Sequence, residues 1–323
     1  MTVLVTGAAG FIGFHTVQAL LKRGESVIGI DNLNNYYDVN LKQARLEQLL
    51  PQKNFQFFKM DVSDKVAVAT LPKPIDQIIH LAAQAGVRYS LINPQAYIDS
   101  NITGHLTMLE LARNTPGLKH FVYASSSSVY GGNTKIPFSI KDAVEKPVSL
   151  YAATKRAGEL MAYNYAHLFR FPATGLRFFT VYGPWGRPDM AAFLFTKNIL
   201  AGEPIAVFNH GKMERDFTYI DDIVDGILAT LETPVNVTHT EVPHRVFNLG
   251  NSNSEKLTDF IAVLENALGK KAIYDFQPIQ PGDVPSTSAD ITESTQMLGF
   301  TPKVSIDEGI PRFVAWYKNY NRI

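Results

Sequence analysis

The sequence predicts an α/β protein with a doubly wound parallel sheet and a second, smaller α/β lobe. Short β-rich runs alternate with longer helical patterns through the first half, a glycine-rich turn follows the first run, and the texture changes after Phe178. Alternating strands and helices imply crossover units, which lay parallel strands side by side with helices on both faces.

Val3-Leu4-Val5 opens the series as a strand with consecutive apolar residues, as expected where both sheet faces are covered. Val27–Ile30, Phe55–Phe58, Ile75–His80, His120–Tyr123 and Ala173–Phe178 repeat that signal. Phe14–Arg23, Leu41–Leu50, Gln95–Arg113 and Ser149–Arg170 between them carry helical periodicity. Gly183-Pro184-Trp185-Gly186-Arg187-Pro188 is rich in breakers and reads as a loop. Phe217–Leu231 and Arg245–Leu249 then read as a return to the sheet. Gln277–Pro285 is loop-like, and Ile306–Tyr320 is a terminal amphipathic helix. The second lobe is therefore expected to be assembled from separated segments.

Composition excludes several classes. Hydrophobic residues make up 46% of the 323 residues and charged residues 19%, which fits a chain with a sizeable core. Lys+Arg and Asp+Glu are equal at 30 each, so no net field favours nucleic acid or an anionic membrane. The absence of cysteine excludes disulfides, thiolate nucleophiles and thiolate metal sites, and no metal is expected. No apolar run is long enough to span a bilayer, and the chain enters its first strand at Thr2 without a basic leader. A soluble cytoplasmic protein is the expectation.

Thr6-Gly7-Ala8-Ala9-Gly10-Phe11-Ile12-Gly13 follows the first strand and opens the first helix. Gly7 suits the tight turn, Gly10 lets backbone approach a pyrophosphate, and Gly13 allows close helix–sheet packing, while the helix N-terminus offers free N–H groups. Asp31 ends the second strand, where a carboxylate accepts hydrogen bonds from adenosine ribose hydroxyls. It would repel a 2′-phosphate, and Asn32-Leu33-Asn34-Asn35 offers no adjacent arginine, so NAD is expected over NADP. Asp61-Val62 offers an adenine-edge contact, with an Asp61 helix cap as the alternative.

Tyr151 and Lys155 lie four apart on one helical face. A phenol titrates near pH 10 and is a poor base at neutrality, but a nearby ammonium favours the phenolate. Lys155 also has donors for a nicotinamide ribose. Ser125-Ser126-Ser127-Ser128 follows the fifth strand, where ligands bind in open parallel sheets. A serine hydroxyl there would bond a substrate oxygen during hydride transfer; a polar turn is the alternative.

Taken together, Thr6–Gly13, Asp31, His80-Leu81-Ala82-Ala83, the serine run and Tyr151/Lys155 resemble an extended short-chain dehydrogenase/reductase. Arg177–Pro184, Arg215-Asp216-Phe217 and Pro281-Gly282-Asp283 continue the resemblance, so it covers essentially the whole chain. It implies the NAD-dependent epimerase/dehydratase family, a catalytic set of Ser126, Tyr151 and Lys155, and cofactor contacts from Leu81, Ala82, Ala83 and Asn101. With Gly7, Gly10, Phe11, Ile12, Gly13, Asp31, Asn32, Asp61 and Val62 these complete the expected NAD site. The domains would be residues 1–180 plus about 217–251 for NAD, in a Rossmann fold, and about 181–216 plus 252–323 for a nucleotide sugar. A homodimer through the Gln95–Arg113 and Ser149–Arg170 helices is likewise implied.

Gly86-Val87-Arg88-Tyr89-Ser90 and Gly183–Met190 most resemble the UDP-glucuronate 4-epimerases within that family. The resemblance implies that Tyr151 takes the 4-hydroxyl proton while NAD accepts the C4 hydride. The 4-keto ring then turns and is reduced on its other face, with NAD bound throughout. Related dehydratases carry an Asp-Glu pair at Ser127 and Ser128, and related decarboxylases a Glu at the latter. Hydroxyls here donate hydrogen bonds to a uronate but are not ordinary general bases. Thr180 joins that cradle, which would keep the β-keto acid from losing CO₂. Arg88 and Arg187 are candidates for substrate or diphosphate recognition, with an ion-pair role as the alternative. Arg215 is expected at the diphosphate or ribose, and Asp283 at the ribose hydroxyls. The alternatives are a 4-epimerase of neutral or N-acetylated UDP-hexoses, a UDP-glucuronate decarboxylase, and a silent NAD-binding scaffold or sensor.

Overall fold

The computed structural model describes residues 1–238 and 240–323. Six strands of its main sheet come from the first 178 residues: β1 (Thr2–Thr6), β2 (Ser26–Asp31), β3 (Phe55–Lys59), β4 (Gln77–His80), β5 (His120–Ser126) and β6 (Ala173–Phe178). A seventh, His244–Leu249, joins the far edge, and the order across the sheet is His244–Leu249, β6, β5, β4, β1, β2, β3. Every pair is parallel. The order reverses between β1 and β4, which opens a crevice at their carboxyl ends.

Strand pleating distributes β1 between two cores. Val3 and Val5 join α1 (Phe11–Lys22) on one face, and Leu4 joins Met108, Leu109 and Ala162 on the other. The 20-residue helix Leu150–Phe169 is capped at both ends. Ser149 accepts a hydrogen bond from Ala152 N–H at 3.1 Å, and Arg170 turns into the left-handed region at φ 57°.

Two expectations change. Arg245–Leu249 does return to the sheet, but Phe217–Tyr219 pairs only with Thr180–Tyr182. The residues after it form the helix Ile220–Glu232, whose Ile223, Val224 and Ile227 pack in one core with Val17 and Leu20 of α1. Apolar residues at positions 220, 223, 224 and 227 are a helical stripe, not a strand. The stretch from Gln95 to Arg113 is interrupted as well. A short helix Pro94–Tyr97 runs through a π-turn at Ile98–Thr103 into the helix Gly104–Arg113. The remaining chain adds small sheets, Pro204–Phe208 with Ile273–Gln277 and Glu214–Arg215 with Glu255–Lys256.

Candidate active site

The glycine turn is shaped by two close approaches. Gly7 has φ +70°, and a Cβ there would lie 2.9 Å from Ala82 N. A Cβ on Gly13 would lie 2.0 Å from Gly7 O, so only glycine lets α1 start this close to β1. Helix α1 begins at Phe11 with Gly10 as its N-cap and no side-chain cap. Its first N–H groups therefore face a cleft lined by Gly7, Gly10, Phe11, Ile12 and Gly13, the arrangement that receives a phosphate anion.

Asp31 forms the wall beyond. Its Oδ2 accepts from Ala9 N–H at 3.1 Å and its Oδ1 from Leu33 N–H at 2.8 Å. A carboxylate has about four lone-pair sites, so capacity remains for ribose hydroxyls. Burial pushes the carboxyl up from its ordinary range, against the pull of Lys42 and of the two N–H groups. Lys42, from α2 (Val39–Leu49), lines the same wall, and its Nζ is held by Asn34 O and Oδ1, both at 2.8 Å. The uncapped helix, the buried carboxylate and the glycine contacts fit NAD.

Asn32, Val62, Leu81, Ala82 and Ala83 also line this cleft. Asp61 and Asn101 stand behind it. Asp61 accepts from Asn32 Nδ2 at 2.6 Å and from Ser63 N–H and Oγ–H. Asn101 accepts from Gln84 N–H at 2.8 Å and donates to Gln84 O and Thr154 Oγ1. These two side chains fix neighbours that line the cleft.

Ser126, Tyr151 and Lys155 converge at the inner end, where Ser126 and Tyr151 border both this cleft and a second one. Ser126 Oγ accepts from Ser128 N–H at 3.1 Å, which leaves its own proton to donate. Burial pushes the Tyr151 phenol up; the Ser126 hydroxyl and the Arg187 charge pull it back. Lys155 Nζ donates to Ala124 O at 3.0 Å and stands 6.0 Å from the Tyr151 ring centre. Burial brings its ammonium down to about 8. Arg187 thus adds its charge at the phenol to the Lys155 ammonium 6.0 Å from the ring, a contribution that the spacing of Tyr151 and Lys155 did not reveal.

The second cleft, about 590 Å³, has the size of a small-molecule site. Ser127, Ser128 and Thr180 line it, and among the described residues none of their hydroxyls has a hydrogen-bond partner. Its two carboxylates are both paired. Asp189 receives Arg187 at 2.5 Å and Tyr36 OH at 3.0 Å, and Asp283 receives Arg88 at 2.8 Å. Arg88 also lies over the Phe208 ring at 4.2 Å. Arg215 lines the cleft beside this pair, held by Glu214 O and Pro285 O. Among the described residues no group of His, Asp or Glu side chains could hold a metal ion.

Several contributors were missed in the sequence. Glu159 lies one turn beyond Lys155 and accepts both Nε and Nη2 of Arg177, at 2.8 and 2.9 Å, together with Ser125 Oγ–H at 2.6 Å. The interval of four from Lys155 was the available signal. Asp216 is fully buried and accepts from Asn251, Ser252 and Ala289 N–H groups, so it anchors backbone behind Arg215.

A doubly wound sheet with a phosphate-receiving helix end, a ribose-type carboxylate and a Ser–Tyr–Lys set defines the dinucleotide-dependent short-chain dehydrogenase/reductase class. The sequence profile of the NAD dependent epimerase/dehydratase family matches residues 3–250, and the chain belongs to that family. It is 46% identical to a probable UDP-glucuronate 4-epimerase of Rhizobium meliloti, across 100% of this chain and 98% of that one. It is 48% identical to UDP-glucuronate 4-epimerase 4 of Arabidopsis thaliana, across 99% of this chain and 76% of that one. Among solved structures, a UDP-glucuronic acid 4-epimerase from Bacillus cereus, in complex with UDP-glucuronic acid and NAD, superposes with a TM-score of 0.90. It shares 36% identity and is matched over 99% of this chain and 100% of that one.

Proposed function

We propose that the protein is an NAD-dependent isomerase that interconverts UDP-glucuronate and UDP-galacturonate at C4. The observation that carries this reading is the meeting of Ser126 and Tyr151 with the unpartnered hydroxyls of Ser127, Ser128 and Thr180 in one cleft. The carboxylates of that cleft are both held by arginines, so it has acceptors for the C4 proton but no spare carboxylate for dehydration chemistry.

Tyr151 accepts the C4 hydroxyl proton while Ser126 donates a hydrogen bond to the same oxygen. Arg187 and Ser126 favour the phenolate that this step requires. When bound, NAD supplies the acceptor, and later the donor, of the C4 hydride. Lys155 keeps donors beyond the one given to Ala124 O for the cofactor's ribose. Ser127, Ser128 and Thr180 hold the uronate carboxylate, so that the 4-ketone, a β-keto acid, keeps its CO₂ while the ring turns. Tyr151 then returns its proton to O4. Arg88, Arg187, Arg215 and Asp283 orient the UDP-sugar. Substitution of Arg88, Arg215 or Asp283 is expected to raise KM more than it lowers kcat, whereas loss of Arg187 also lowers kcat through the phenol.

The sheet-bearing residues 1–180 and about 217–251 are assigned to NAD, and about 181–216 with 252–323 to the nucleotide sugar. Exposed Ile98, Leu106, Leu160 and Tyr163 on the two neighbouring helices support a homodimer through that face. No helix among the described residues is long and apolar enough to cross a membrane, and a chain without cysteine suits the reducing cytoplasm. Initial rates with UDP-glucuronate, UDP-glucose and UDP-N-acetylglucosamine test the substrate: the uronate is expected to be preferred at least tenfold. Equal or faster turnover of a neutral sugar overturns the assignment.

A further inference from the structure

Arg45, on α2, is fully buried and sits behind the glycine turn. Its Nη1 donates to Ala9 O and to Tyr37 OH, both at 2.8 Å, and its Nη2 to Trp185 O at 2.6 Å. Its Nε has no partner, and among the described residues no carboxylate is paired with it. The guanidinium is satisfied by neutral oxygens alone, and the anion that feels its charge is Asp31, on the other side of the Ala9 peptide, so the charge is balanced at a distance and not by contact.

The Ala9 peptide links that charge to the cofactor cleft. Asp31 holds its N–H and Arg45 holds its C=O, and Gly10 follows directly at the start of α1. The Trp185 carbonyl links the same guanidinium to the segment Gly183–Met190, from which Arg187 reaches both clefts. That segment has two further ties across the cleft. His15 Nε2 meets Pro184 O at 2.9 Å, and Tyr36 OH donates to Asp189 at 3.0 Å. Burial brings His15 down to about 4, so at neutral pH the ring is uncharged and its Nε2 carries the proton given to the carbonyl.

We infer that Arg45 is a positioning residue for cofactor retention, joining the pyrophosphate-binding turn to the Gly183–Met190 strap. The inference rests on the NAD reading above. A pyrophosphate held by the glycine turn would add its negative charge to that of Asp31 beside the guanidinium; the guanidinium in turn holds the strap closed. Cofactor binding and strap closure thereby stabilise one another, as two events that share one charge must. This explains on physical grounds how the enzyme keeps NAD through turnover.

The test uses full-length protein stripped of nucleotide, loaded with adenine-labelled NAD, freed of excess label and chased with unlabelled NAD. Arg45→Lys keeps a charge but has no fork to reach Ala9, Tyr37 and Trp185 together. His15→Ala removes a strap tie without touching the cleft lining. Label is expected to leave Arg45→Lys about tenfold faster or more, the loss of one charged hydrogen bond, and His15→Ala a few-fold faster. The rise in Tm on adding NAD is expected to shrink in Arg45→Lys; a merely structural role would lower loaded and stripped protein equally. If Arg45→Lys does not fold, the His15→Ala rate decides alone. Folded variants that retain label as the wild type does overturn the inference and leave the NAD reading standing. A wild type that takes up no label overturns both.

Discussion

Along the cofactor cleft the polar side chains are held in place by protein partners: Asp31 by the Ala9 and Leu33 N–H groups, Lys42 by Asn34, and the Gln84 backbone by Asn101 behind it. Across the Tyr151 junction, among the described residues, the hydroxyls of Ser127, Ser128 and Thr180 have no protein partner, while Arg88 and Arg187 are held by carboxylates of the same cleft and Arg215 by backbone carbonyls. One wall is finished before a ligand arrives; the other carries donors that only a ligand satisfies. The difference fits the proposed division of labour. A cofactor that stays through turnover is served by fixed contacts, whereas a sugar that must turn over within the site needs donors that engage different faces.

The largest effect is expected at the junction of the two walls. Tyr151→Phe keeps the ring and removes the proton acceptor, so turnover should fall by roughly 10²–10⁴ while NAD content is unchanged. Loss of NAD in that variant would mean the two walls are not separable. Asp31→Ala addresses the finished wall: removing charge-assisted ribose contacts should weaken NAD by about tenfold to a hundredfold. Titration of the stripped variant with NAD and NADP checks it, and an unchanged preference for NAD would move the discrimination elsewhere.

Thr180→Val probes the unfinished wall. A lost donor facing a carboxylate costs about 1–3 kcal/mol, so epimerisation should slow by about tenfold and UDP-pentose should begin to leak. Single-turnover product analysis reads both; an unchanged rate and product ratio would remove Thr180 from the substrate site. The smallest effect concerns Lys155, whose ammonium burial brings down to about 8 against an ordinary 10.5. The unfolded chain then binds more protons than the folded one between those values, so stability rises with pH there. Relative to Lys155→Met, stripped wild type should gain on the order of 1 kcal/mol from pH 7 to pH 9. Urea denaturation at both pH values checks it, and a flat or falling difference would place the ammonium in contact with an anion.

Contiguous features were legible in the sequence. The six alternating strands, the glycine turn, Asp31 and the Ser126/Tyr151/Lys155 set each depend on short-range spacing, and the crossover rule brings them to one sheet edge. What was not legible depends on distant pairing. Arg88 finds Asp283 and Arg45 finds Trp185 only after folding, through contacts 195 and 140 residues apart. Phe217–Tyr219 has strand character, but its partner Thr180–Tyr182 lies in a separate two-stranded sheet. One clue was available: Lys42 and Arg45 fall on the same face of α2 as Leu41, Leu46 and Leu49. Charges on an apolar face are seldom buried without a task.

The most direct test of the central claim is NMR of the nucleotide sugars formed from UDP-glucuronate by the purified protein, with no NAD added. UDP-galacturonate is expected to approach a constant ratio with UDP-glucuronate, with no accumulation of UDP-pentose. UDP-pentose as the main product, or no conversion of UDP-glucuronate by protein that carries NAD, would contradict it.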